Sequence, residues 1–201
     1  MAKRVSILIP AAGFGRRMRG QDKLLREIAG VPLLRRTAER ALSTGCTVCV
    51  TLPADNADRA AALNGLDIET VQIYDADKGM SRSIVHGVGA LKDESSGILI
   101  MPADMPEIDS DDMTALIGQF SATGSQHIFR ATTADGTPGH PVIFPPDCFA
   151  ALMNLSGDEG ARSVVKSAKD IQFVTLPDQH ALTDLDTPEA WDDWLSKHHS
   201  S

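Results

Sequence analysis

Phosphate chemistry needs close backbone approach, fixed cations and hard oxygen ligands, and three segments of this chain offer them. Ala11, Ala12 and Gly13 follow the apolar run at 5–9 almost without side chains, so the backbone there can approach a phosphate or a base, and Gly15 tolerates dihedrals closed to other residues. Arg16, Arg17, Arg19 and Lys23 then bring cations into the same stretch. The order of apolar strand, small-residue loop and cations suits a nucleoside triphosphate site. Asp104 sits in P-A-D-M-P just past the apolar run at 97–101, where a magnesium ligand belongs, because Mg²⁺ takes one or two carboxylates and completes its octahedron with phosphates and water. A turn aspartate between two prolines also fits that position, and the first loop tips the reading towards metal.

Further segments extend the set. In D-L-D-T-P-E at 184–189, Asp184 and Asp186 project to one side of an extended chain; capping of the following helix and metal binding both fit, one residue for each. D-A-D-K-G-M-S-R-S-I at 75–84 opens a helix, so the amides and hydroxyls around Gly79, Met80 and Ser81 are available to a ligand, although Ser81 and Ser83 also fit as caps. His140, between Gly139 and Pro141, enters a strand from a turn, and there a binding role and a structural role both stand.

These residues need a scaffold that presents loops on one side. Apolar, β-rich runs recur at 5–9, 46–52, 69–74, 97–101, 127–131, 141–144 and 171–176, with helical periodicity between many of them. Leu34, Ala38, Ala41 and Leu42 form one stripe behind Pro32, with Gly45 closing it. Met80, Ile84, Val88 and Leu91 form a second, and Met113, Leu116, Ile117 and Phe120 a third behind Asp109 and Ser110. The alternation predicts an α/β fold with a mainly parallel sheet and helices on both faces. Ligands of such sheets sit beyond the carboxyl ends of the strands, which places the loop at 11–23 and the segments after Tyr74 and Met101 on one rim.

With 201 residues the expectation is a single domain over 1–197 and a frayed tail at 198–201. The net charge of −8 argues against a dedicated nucleic-acid binder, so a polyanionic substrate must meet local positive charge or a metal. No apolar stretch approaches the length that spans a bilayer, and M-A-K-R leads straight into the first strand, so the expected location is the cytoplasm, away from membranes. Cys46, Cys49 and Cys148 read as reduced, apolar fillers. Cys46 and Cys49 lie three apart on a strand and point to opposite faces.

Six ordered elements carry a resemblance that covers essentially the whole chain: A-A-G-F-G-R-R-M with D-K-L-L, G-M-S-R-S, P-A-D-M-P, P-G-H-P-V-I-F, G-D-E-G-A-R at 157–162, and D-L-D-T-P-E. Together they resemble the MobA-like nucleotidyltransferase family and, within it, the molybdenum cofactor cytidylyltransferases. The resemblance implies a Rossmann-like, three-layer α/β/α scaffold that transfers a nucleotidyl group from a triphosphate to molybdopterin phosphate and releases pyrophosphate. It further implies that Arg17 and Lys23 hold the triphosphate, that Asp104 binds Mg²⁺ with Asp186 as a candidate second ligand, and that a client molybdoenzyme is a partner. Ala12, where relatives using guanosine triphosphate tend to carry glycine, points to CTP. Pro10 and Gly15 also resemble the methylerythritol phosphate cytidylyltransferases, but D-K-L-L and P-A-D-M-P depart from the corresponding segments of those enzymes. Asp75 stands where the cofactor enzymes often have asparagine, and Arg19 where glycine is usual.

In-line attack by an acceptor phosphate needs no protein nucleophile and no general base, which agrees with the lack of a Ser/His/Asp or Cys/His set. Two other readings remain at this stage: transfer to another phosphorylated acceptor, such as a sugar or alcohol phosphate, and a non-catalytic nucleotide or cofactor carrier. An NAD-binding enzyme fits poorly, because the loop lacks a true G-x-G-x-x-G.

Overall fold

Near-continuous apolar runs build the centre of the sheet, which is buried on both faces. The computed structural model describes residues 3–13, 22–124, 126–158 and 160–198. Its seven-stranded sheet runs in the order β5 (Glu69–Ile73), β4 (Thr47–Pro53), β1 (Arg4–Pro10), β6 (Ser95–Ile100), β8 (Pro138–Phe144), β7 (Ile128–Thr132), β9 (Ile171–Thr175). Strand β1 pairs in parallel with β4 and β6, and β4 with β5. Strand β8 is antiparallel to both neighbours, and β7 and β9 are again parallel. A two-stranded antiparallel pair, β2 (Glu27–Ile28) and β3 (Val31–Pro32), precedes α1 (Leu33–Ser43).

Successive residues of β1 serve opposite layers, as a period of two requires. Val5, Ile7 and Ile9 pack with α1 and with α4 (Ser110–Ala122), through Leu34, Ala38, Ala41, Met113, Leu116 and Phe120. Leu8 faces the other way, onto Ile84, Val88 and Leu91 of α3 (Ser81–Leu91), together with α5 (Phe149–Met153) and α6 (Arg162–Ser167). Each buried Leu or Ile of these layers contributes roughly 1.5–3 kcal/mol relative to an exposed one. The result is the expected three-layer α/β/α arrangement. A smaller cluster ties α7 (Pro188–His198) to the chain near β2 through Trp191, Trp194, Leu185, Leu33 and Ile28.

The helix ends follow their residues. Asp109 and Asp112 form a reciprocal capping box on α4, and Gly45, at φ +74°, closes α1. One expected core residue moves outward: α3 begins at Ser81, so Met80 stands at its cap and is 53% exposed. Cys49 is buried, and that burial, with Glu69 adding to it, pushes its thiol up to about 12, in keeping with an unreactive filler. Among the described residues no helix is long and apolar enough to cross a membrane. Helix α7 reaches His198, and residues 199–201 of the expected tail lie outside the described residues.

Candidate active site

Three segments distant in sequence meet on the rim at the carboxyl ends of the parallel strands. The amine of Lys23, just past the first loop, contacts the Asp104 carboxylate beyond β6 and lies 2.5 Å from Asp186 Oδ1, in the segment leading to α7. The three side chains are 16%, 19% and 22% exposed, so the cluster is screened but open to a ligand. Burial works against the ammonium, yet Asp104 and then Asp186 outweigh it and hold the Lys23 amine above its ordinary value; it stays charged. Asp184 is exposed beside this pairing. Burial, with the nearby charges of Asp186 and Asp104, raises its carboxyl above the usual range.

The surrounding structure fixes each partner. Helix α1 anchors the loop that carries Asp104: Thr37 Oγ1 donates to the Ala103 carbonyl at 3.3 Å, and Arg40 Nη1 donates to the carbonyls of Pro106 and Ile108, each at 2.7 Å. Asp186 arrives on a segment that crosses the rim after β9. Its course is pinned by Leu176 N–H on the Thr132 carbonyl (2.8 Å), Ala181 O accepting from His140 N–H (2.8 Å) and Leu185 N–H on the Asp104 carbonyl (3.0 Å). Side chains add His180 Nδ1 to Asp112 Oδ2 at 2.8 Å and Thr183 Oγ1 to Glu107 Oε2 at 2.9 Å, while Glu107 also accepts from Trp194 Nε1 at 3.0 Å. These bonds join the crossing segment to α4, to the Asp104 loop and to α7.

Strand β8 explains why His140 shares this rim. It runs against β6 with Ile100 opposite Val142, so its beginning, not its end, lies beside the carboxyl end of β6. His140 is exposed there. Local desolvation, then the Arg130 guanidinium, holds its imidazole below the ordinary value despite Asp104, so it is neutral near pH 7. Gly139 permits the crossing: a Cβ there would lie 1.9 Å from the Ala181 carbonyl oxygen, a backbone atom that cannot swing aside. Gly139→Ala is therefore expected to cost roughly 1–3 kcal/mol and to lower activity by displacing the crossing segment; chemical denaturation checks the first and turnover the second.

In the first loop, Ala11 and Ala12 are buried at 1% exposure each, while a Cβ on Gly13 would meet nothing within 4 Å. Thus the described protein does not itself demand glycine at 13. Gly15, Arg16 and Arg17 lie outside the described residues, as does Arg19. Sequence reasoning missed Asp22 and Arg59, the latter on α2 (Ala57–Ala62). Arg59 grips the Asp22 carboxylate through Nε at 2.7 Å and Nη2 at 2.9 Å, and Nη1 reaches the carbonyls of Ala11 (2.5 Å) and Gly13 (3.0 Å). Burial alone would raise the Asp22 carboxyl, but Arg59 outweighs it and holds it below the usual range. A depressed carboxylate contributes stability that is present above its unfolded value near pH 4 and lost as pH falls through the folded value. Melting temperature against pH should accordingly show a smaller acid-side loss in Asp22→Asn than in the parent chain.

At the start of α3 the structure corrects the expectation of free amides. Met80 N–H donates to Asp158 Oδ1 at 3.3 Å and Ser81 N–H to the Gly157 carbonyl at 3.2 Å, so 157–158 occupy both. Gly79, at φ +109°, is held so close that a Cβ would lie 2.6 Å from the Gly157 carbonyl oxygen. Among the described residues the buried Ser81 hydroxyl meets no hydrogen-bond partner. Asp75, which replaces the expected asparagine, receives Arg82 Nε at 2.7 Å, with Lys78 at 3.7 Å and His86 Nε2 at 3.6 Å. A concavity lined by Arg4, Ser6, Thr47, Glu69 and Glu94 opens at the amino ends of the strands, away from this rim, and holds none of the candidate residues.

Known proteins resemble this chain to different extents. Residues 7–172 match the family described as MobA-like NTP transferase domain. The purine catabolism protein PucB of Bacillus subtilis (strain 168) is 33% identical over 121 residues, 59% of this chain and 57% of that protein. A probable molybdenum cofactor guanylyltransferase of Natronomonas pharaonis is 33% identical over 112 residues, 55% of this chain and 54% of its own length. The chain thus spans little more than half of these two relatives. Nicotine blue oxidoreductase of Paenarthrobacter nicotinovorans is 25% identical over 198 residues, 92% of this chain and 93% of that protein. Among solved structures, Rv0371c from Mycobacterium tuberculosis H37Rv has the same fold, with a TM-score of 0.84 at 24% identity over 98% of this chain and 99% of that one. The family match runs from β1 through Lys23 and Asp104 into β9, taking in two of the three converging side chains, and on that ground the chain belongs to the MobA-like NTP transferase family.

Proposed function

We propose that this nucleotidyltransferase moves CMP from CTP to molybdopterin phosphate and releases pyrophosphate. The observation that carries the reading is the convergence of Lys23, Asp104 and Asp186 at the strand ends beside a loop of minimal side chains. An acceptor phosphate oxygen bonds to the α-phosphorus as the bond to the β-phosphate oxygen breaks, and pyrophosphate leaves with that electron pair. The attacking oxygen is already anionic, so the residues bind, orient and neutralise and take no proton. Lys23 steadies charge moving onto the leaving pyrophosphate, joined by Arg17 as the family resemblance implies. The backbone at 11–13 admits the triphosphate closely, since nothing in the described protein fills the space beside Gly13.

The donor set suits Mg²⁺. Among the described residues no three His, Cys, Asp or Glu side chains group to hold a metal alone, but Asp104 and Asp186 already share one cationic partner, and two carboxylates are what magnesium takes when phosphates supply other ligands. Bound there, the ion would supply charge neutralisation to the phosphates. Ala12 favours cytidine, and a client molybdoenzyme would receive the product.

Pyrophosphate release is the test, with Mg²⁺ and molybdopterin present, CTP, GTP, ATP and UTP supplied separately, and Asp104→Ala alongside. Release with CTP that the variant lacks supports the proposal. Release with GTP alone replaces the base, release only with a sugar or alcohol phosphate replaces the acceptor, and binding without release favours a carrier. Turnover of a redox substrate in place of release would favour the chemistry that the nicotine blue relative's name describes.

A further inference from the structure

Helix α2 docks on the protein through an arginine. Of Ala57–Ala62 only Arg59 is buried, at 4% exposure, and a helix of this length has too few internal bonds to hold its own shape. Asn56 stabilises its start by accepting from Arg59 N–H at 2.9 Å, and the Asn56 amide turns to Asp22 Oδ2 at 3.3 Å. A buried guanidinium is costly unless fully paired, and an apolar side chain would serve plain packing as well or better. Among the described residues the guanidinium's pairing falls on the rim: the Ala11 and Gly13 carbonyls on one side, and both oxygens of Asp22, the neighbour of Lys23, on the other.

We propose that Arg59 is a positioning residue for the transfer site: it clasps the first loop where it leaves β1 and where it returns, and so sets where Lys23 meets Asp104 and Asp186. The kinetic consequence rests on the nucleotidyltransferase reading, whereas the geometric one does not. On the return side, Asp22 is fixed by Arg59, and Leu24 is fixed by its carbonyl accepting from Leu34 N–H at 2.9 Å, which leaves Lys23 one course between them. A planar fork suits this task because it binds a carboxylate in two places while still reaching carbonyls; lysine offers a single point of charge.

The test uses the full chain with Arg59→Met, Arg59→Lys and Asp22→Asn. Acylation of Lys23 by an N-hydroxysuccinimide ester, followed by mass spectrometry with Lys92 and Lys166 as internal references, reports whether the amine has left its two carboxylates. Arg59→Met is expected to label severalfold faster at Lys23 with the references unchanged, and Arg59→Lys to fall between. In steady state, Arg59→Met should raise KM for the triphosphate and lower kcat, together about 10²-fold in kcat/KM, the scale of a misplacement near 1 Å. A folded Arg59→Met that labels Lys23 at the parent rate overturns the proposal. If that variant does not fold, Asp22→Asn frees the same end of the loop, and unchanged Lys23 labelling there overturns it equally. A parent chain that transfers no nucleotide from any triphosphate defeats the function reading alone, since the labelling comparison still decides the role of Arg59.

Discussion

Lys23→Met is expected to lower kcat and kcat/KM alike by about 10²–10³, the scale on which one charge-stabilising donor acts at a transition state. Lys23 is the only cation among the described residues seen in contact with both Asp104 and Asp186. On the proposed reaction its removal takes positive charge from where pyrophosphate would depart, and it takes from Asp104 and Asp186 the cation they share. Stability should change little, because both carboxylates remain about one fifth exposed and water can solvate them. Thermal melting beside steady-state kinetics separates the two effects. Lys23→Arg is expected to recover only part of the rate, since a broad guanidinium does not replace a compact ammonium wedged between two carboxylates. Turnover of Lys23→Met within about threefold of the parent would remove Lys23 from the reaction.

What the sequence disclosed, and what it withheld, follows from how each feature is encoded. The central strands of the main sheet were legible because burial on two faces leaves near-continuous apolar runs such as Ile98, Leu99 and Ile100, while the edge strands β5 and β9 were legible from their β-branched and apolar residues although they are only partly buried. The rim followed from topology alone, and Asp104 with it. The direction of β8 was not legible, since reversal leaves no mark in composition, yet it brings His140 to the rim. Arg59 was hidden for a different reason: in A-D-R-A-A-A an arginine reads as a solvated face, and only three-dimensional proximity to Asp22 and the Ala11 carbonyl reveals it as an anchor. The crossing segment after β9 has neither helical nor strand periodicity. Its conformation comes from long-range bonds to Thr132, His140, Glu107 and Asp104, which no local pattern specifies. Met80 misled because its spacing continued the α3 stripe onto the cap, one residue before the helix begins.

That crossing segment also separates the two aspartates, of which the family resemblance named Asp186 as a candidate second metal ligand. Asp186 reaches the shared ammonium at 2.5 Å, while burial and its acidic neighbours push Asp184 towards the neutral form. Asp186→Asn is therefore expected to cost about 10² in kcat and to demand more Mg²⁺ for half-maximal rate, and Asp184→Asn to cost far less. Asp104→Asn should match Asp186→Asn. The stronger expectation concerns the pair: if both carboxylates hold one cation, as proposed, the double variant should lose little more than either single one, in contrast to the product of the two losses that independent residues would give. Rates of the parent, the two single variants and the double variant across a magnesium series complete the cycle. Strictly multiplicative losses would mean that Asp104 and Asp186 act on separate groups, and the shared contact with Lys23 would then be a structural tie between loops.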